Sequence, residues 1–150
     1  MEVKWLLAIV HLLGMAIGVG SVWARGRALA GTLDKPGISR VLTADNWWGL
    51  SAILLVVTGL LRAFAGYEKG TEYYVMNNFF ILKMALLIGI VLLEIWPMVT
   101  FIRWRIAGGR GQALDTSRAS LFSWISTAQA IMLVVMVVFA TGMARGFGMG

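Results

Sequence analysis

The run WLLAIVHLLGMAIGVG, Trp5 to Gly20, holds the only histidine among 150 residues. An ionisable side chain in such a run is costly to place and by default faces the interior of a bundle. Lys83 and Arg62 stand in two other apolar runs. On the helical face of His11 lie Gly14 and Gly18, which leave a flat surface beside the imidazole. An axial imidazole accompanied by basic groups for the propionates is what a haem site needs. His11 is therefore the candidate metal ligand. Together with Lys83, Arg62, Gly14 and Gly18 it forms a candidate binding set for haem b or another porphyrin. The same glycine pair also reads as ordinary helix packing. With one histidine, two-histidine ligation within one chain is excluded, which leaves methionine, lysine, His11 of a second subunit, or no sixth ligand. Met132, Met136 and Met143 form a stripe on one helical face with Gln129, and Met136 comes nearest the depth of His11. Such stripes usually fill space in a core.

A second polar set involves Glu94, Gln129 and Ser51, which come to similar depths on three runs. Lys83 is eleven residues from Glu94, about 16 Å along a helix, too far for direct pairing. Glu94 is thus expected to be protonated, or bonded to Gln129 or a serine, and this layer is a candidate proton or polar site. Pro97 just beyond it frees a backbone carbonyl.

The elements that must position these groups follow from composition. The chain is 59% hydrophobic and 13% charged, against roughly 25% charged in a soluble domain. Four runs are long enough to cross a bilayer: Trp5–Ala24, Trp47–Ala65, Phe79–Ile102 and Leu121–Ala144. The first could pass for a signal peptide ending at Ala28-Leu29-Ala30, but its apolar run is too long and arginines follow it directly, so it reads as a retained helix. The net charge is +6. Its basic residues gather in the expected loops Arg25–Asn46 and Arg103–Ser120, a positive-inside pattern and not a nucleic-acid surface. This predicts an all-α, integral membrane four-helix bundle with up-down-up-down threading, in one domain of a bacterial inner membrane, both termini periplasmic. His11, Arg62 and Lys83 then converge near the outer face. Trp5, Trp23, Trp47, Trp48, Trp104 and Trp124 fall at span ends, where indoles favour the interface. Gly108-Gly109-Arg110-Gly111 reads as a turn. The absence of cysteine excludes disulfides, Fe–S clusters and thiolate sites, and no nucleophile–base set supports hydrolysis. The outer loop Gly66–Asn78, with Glu68, Lys69, Glu72, Tyr73 and Tyr74, is expected to be an interfacial turn.

From Trp5 to Arg105 the chain resembles a bacterial family of small four-span proteins known as predicted membrane proteins of unknown function. The resemblance rests on His11, Ala44-Asp45 with Gly49, Thr58-Gly59-Leu60-Leu61-Arg62, Lys69-Gly70 with Tyr73-Tyr74, and Phe79 with Lys83. A histidine in the first span and a lysine early in the third are also similar to HemJ-type protoporphyrinogen oxidases, which are four-span haem-b proteins. CopD-type membrane proteins look broadly alike. The HemJ likeness implies a haem role for His11 and Lys83.

Three functions follow. The first is a haem-b or porphyrin-binding redox protein, with a quinone or another membrane redox protein as partner. The second is a small transporter or proton-coupled channel subunit, which with four spans would require a homo-oligomer. The third is a structural or assembly subunit. All three place the chain in contact with the lipid bilayer.

Overall fold

The computed structural model describes residues 2–64 and 77–148. It contains four helices: α1 (Glu2–Ala30), α2 (Lys35–Phe64), α3 (Asn78–Gly109) and α4 (Ala119–Ala144). No strand occurs among the described residues. All four helices are long and apolar enough to cross a membrane. The outer loop lies largely outside the described residues.

Each helix outruns its hydropathy signal. The 29 residues of α1 reach about 44 Å at 1.5 Å per residue, against a hydrocarbon core of about 30 Å. The expected loop Arg25–Asn46 is therefore corrected: α1 continues to Ala30, α2 starts at Lys35, and only residues 31–34 connect them. A hydropathy run stops at the first charge, whereas a helix stops where its backbone is capped. Here the cap is Asp34, whose Oδ1 accepts the Gly37 N–H at 2.9 Å. Likewise α3 passes Arg103 and Arg105 and ends at Gly109, two residues before Gly111, whose φ of 67° favours glycine. Gln112 N–H then reaches back to the Ala107 carbonyl at 2.9 Å, and Gly111 N–H to Gly108 at 3.2 Å, a Schellman closure of the open carbonyls.

The threading is antiparallel. Phe64 at the end of α2 meets Phe80 at the start of α3, and Phe101 late in α3 meets Phe122 early in α4. The termini therefore share one end of the bundle, and the loops rich in arginine share the other, here called the basic end. Packing centres on α1, which lies along both α2 and α4, while α3 lies along α4. The backbones of α2 and α3 do not run closely together; side chains bridge them at their ends.

Small residues let α1 sit close to its neighbours. A Cβ on Gly26 would lie 3.1 Å from Ser126 Cβ and 3.3 Å from the Ser123 carbonyl. One core cluster holds Val22, Trp48, Ile90, Ala130, Leu133 and Met136, and another, toward the basic end, holds Leu29, Val41, Phe101, Trp104, Ala119 and Phe122. Outward faces carry exposed Leu12, Ile53, Leu92 and Val138, as lipid contact requires.

Two tryptophans depart from the interfacial expectation. Trp48 and Trp104 are buried in the bundle, while Trp5, Trp23, Trp47 and Trp124 are exposed. Trp104 can be buried because its indole N–H donates to the Asp115 carbonyl at 3.0 Å. Depth along a span, which hydropathy gives, does not fix which way a ring points.

Candidate functional site

Two polar layers lie inside the bundle. At the basic end Arg25 is fully buried, and each of its five N–H donors has an acceptor. Nε donates to Ser126 Oγ at 3.0 Å. One terminal nitrogen donates to Asp45 Oδ1 at 2.8 Å and to Glu94 Oε1 at 2.7 Å. The other donates to Glu94 Oε2 at 2.9 Å and to the Gln129 side-chain oxygen at 2.8 Å. The Arg25–Glu94 contact is thus a two-bond fork, the strongest geometry open to this pair. Gln129 Nε2 in turn donates to Glu94 Oε2 at 2.9 Å and to the Ile90 carbonyl at 3.1 Å. The guanidinium also sits over the Phe101 ring, 5.4 Å from its centroid.

Asp45 links this knot to the surface, since its Oδ2 accepts from Arg105 at 3.0 Å. Arg105 also donates to Asn46 Oδ1 at 2.7 Å. Two arginines face two carboxylates, so the formal charge balances. Every helix contributes: α1 gives Arg25, α2 Asp45, α3 Glu94 and Arg105, and α4 Ser126 and Gln129. No buried side-chain nitrogen or oxygen among the described residues is left without a partner. Such completeness is what lets charges persist at low dielectric.

This arrangement revises the expected polar layer. Glu94 and Gln129 do meet, but Glu94 also has a cationic partner, Arg25, where a protonated or amide-bonded acid was expected. Ser51 does not join; its hydroxyl donates to the Trp48 carbonyl of its own helix at 2.9 Å. Ser126 supplies the serine instead, and it bonds to the arginine. Arg25 was missed because it stands at the edge of the apolar run and counted as a loop charge. A signal was present: the buried face of α1 runs Gly14, Gly18, Ser21, Val22, Arg25, Gly26, Leu29, an unbroken three-and-four spacing on which Arg25 falls.

The other layer lies toward the termini. His11 Nδ1 and Thr58 Oγ1 are 2.7 Å apart. The Thr58 hydroxyl donates to the Leu54 carbonyl at 2.6 Å, so its oxygen accepts from Nδ1–H. A neutral ring held this way carries its lone pair on Nε2. Lys83 and Arg62 are the charged groups that act on His11, and they act on one another.

The remaining sequence candidates have other surroundings. Gly14 and Gly18 face α2: a Cβ on Gly14 would meet Leu55 at 3.5 Å, and one on Gly18 would meet Ser51 Oγ at 3.2 Å. They serve the close approach of α1 and α2. Met136 is buried in the apolar cluster and Met132 packs against it; Met143 packs beside Phe80. Among the described residues no group of three or more His, Cys, Asp or Glu side chains could hold a metal ion.

His11 and Arg25 are fourteen residues apart on α1, about 21 Å along its axis. Between the layers lies the cluster of Val22, Trp48, Ile90, Ala130, Leu133 and Met136.

Comparison with curated proteins and with solved structures returned no match. Residues 3–148 match a sequence family described as predicted membrane protein. The match spans nearly the whole chain, including both polar layers, and the chain belongs to this family of predicted membrane proteins, DUF2214.

Proposed function

We propose that this multi-pass protein of the bacterial inner membrane, with both termini periplasmic, binds haem b or a related porphyrin at the His11 layer and uses it in redox chemistry. The observation that carries the reading is the relay from His11 Nδ1–H through the Thr58 hydroxyl to the Leu54 carbonyl. Metal-binding histidines are typically oriented by such a bond on the ring nitrogen that does not ligate. Here it leaves Nε2 as the donor atom. Lys83 and Arg62 supply positive charge beside it, which suits the two propionates of a haem.

His11 is the one side chain of the set that would hold the iron. Met136 and Met132 are engaged in packing, and Gly14 and Gly18 are covered by α2, so the porphyrin face would not lie on those glycines. Bound haem would supply one-electron chemistry, and the residues would hold the iron through His11 and the propionates through Lys83 and Arg62. A quinone or another membrane redox protein would be the electron partner.

The transport reading is less well supported. The Arg25 network has no open valence, and an apolar layer separates it from His11. A structural or assembly role fits the Arg25 network, and the His11–Thr58 bond between α1 and α2 is the helix-to-helix bond that role expects of a lone histidine; it leaves unexplained the positive charge of Lys83 and Arg62 beside the ring.

A visible spectrum tests the proposal. Protein purified from haem-replete cells should show a Soret band that His11→Ala abolishes and Glu94→Gln retains. A colourless wild-type protein, or a band indifferent to His11→Ala, overturns it.

A further inference from the structure

A groove of about 740 Å³ opens on the outside of the bundle between α1 and α2, at the basic end. Arg27 on α1 and Arg40 on α2 both line it, together with Ser39, Thr43 and Trp47 of α2 and Ile17 of α1. Both guanidiniums are exposed. Neither has a hydrogen bond or ion pair among the described residues, and no carboxylate lines the groove. Ile17 and Arg27 are ten residues apart, about 15 Å along α1. The groove therefore passes from a basic, hydroxyl-bearing mouth to an apolar floor.

We propose that this groove is a binding site for an anionic phospholipid. The phosphate group lies between Arg27 and Arg40 with Ser39 and Thr43 as neutral donors, Trp47 flanks the glycerol region, and an acyl chain follows the wall toward Ile17. Charge complementarity selects the headgroup: paired cations with no acid among them favour an anion, and arginine matches phosphate oxygens in a forked geometry. Polarity along the groove selects a lipid over a free ion, because a free phosphate would leave the apolar floor uncovered.

The molecule holds its own contrast. A second basic groove, of about 320 Å³ between α3 and α4, is lined by Arg103 and Arg118. There Asp115 shares the lining and Arg118 lies over the Trp96 ring, 4.9 Å from its centroid. Its positive charge is partly neutralised and partly stacked, so it should discriminate much less.

The test uses the full chain in detergent, incubated separately with phosphatidylglycerol and phosphatidylcholine, with retained lipid counted by native mass spectrometry. The expected result is preferential retention of phosphatidylglycerol. R27Q/R40Q should lower that preference about tenfold, and R103Q/R118Q should leave it largely intact. Arg40→Gln alone should act in the same direction with a smaller loss, should the double variant fail to fold. Equal retention of the two lipids, indifference to R27Q/R40Q, an equal loss in R103Q/R118Q, or displacement of the lipid by inorganic phosphate would each overturn the proposal.

Discussion

The two polar layers of this bundle solve the problem of buried charge in opposite ways. Around Arg25 the charges cancel and every donor is used, with partners drawn from the other three helices. Around His11 the charged groups that act on the ring among the described residues are both basic, Lys83 and Arg62, and the relay through Thr58 fixes the ring while leaving Nε2 without a hydrogen bond among those residues. A layer whose valences are closed is suited to holding helices in place. One with a lone pair and excess positive charge is suited to receiving something anionic. The contrast makes the Arg25 layer the cohesive one and is the reason the proposed cofactor is put at the His11 layer.

Breaking the Arg25 knot should have the largest effect. Arg25→Met leaves the half-buried Glu94 without its cation, and a loss of about 3 kcal/mol of stability is expected, read by thermal unfolding in detergent. Arg25→Met with Glu94→Gln should recover a substantial part of that loss, since the orphaned charge goes too. If the double variant is no more stable than Arg25→Met alone, the network is not held together as a balanced ion pair. The Soret band of any bound haem should survive in molecules that remain folded, because the altered groups lie about 21 Å from His11.

Thr58→Val should show the reverse balance. It removes the acceptor of Nδ1–H while keeping the shape of the side chain, and about 1 kcal/mol of stability is expected to go. The ring loses its fixed orientation, so haem retention should fall more noticeably than the melting temperature. A variant that melts much earlier but binds normally would reverse the division of roles.

The smallest effect lies outside the spans, at Asp115. Bonds from the Ser117 hydroxyl and backbone N–H hold this carboxyl below the usual carboxylate range, with Arg118 helping. A depressed acid contributes stability above its unfolded value and loses it as pH falls through the folded one. Ser117→Ala should raise the Asp115 midpoint in an NMR titration and leave neutral-pH stability nearly unchanged. A clear loss at neutral pH would mean that this exposed turn supports the bundle more than its contacts imply.

The candidate sites were legible in different degrees. His11, Arg62 and Lys83 stand within apolar runs, where a charge is conspicuous, and depth counting places them in one layer. Arg25 stands at the boundary of its run, where an arginine is indistinguishable by hydropathy from a topogenic loop charge. Asp45 and Arg105 fell in stretches taken as loops, because the helices extend beyond the hydrocarbon. Ser51 and Ser126 have similar polarity and depth, and only the rotation of each helix decides that one bonds its own backbone and the other bonds Arg25.

The amino-acid sequence alone determined the class of this protein. Four long apolar runs leave the backbone no way to satisfy its hydrogen bonds in lipid except as helices, and the charges between those runs mark which ends of the helices lie together. Tertiary structure alone decided the partnerships. Which guanidinium meets which carboxylate depends on helix rotation and neighbour order to within an ångström or so. Those are set by glycines such as Gly18 and Gly26 letting α1 approach α2 and α4, and no property of a single helix encodes them.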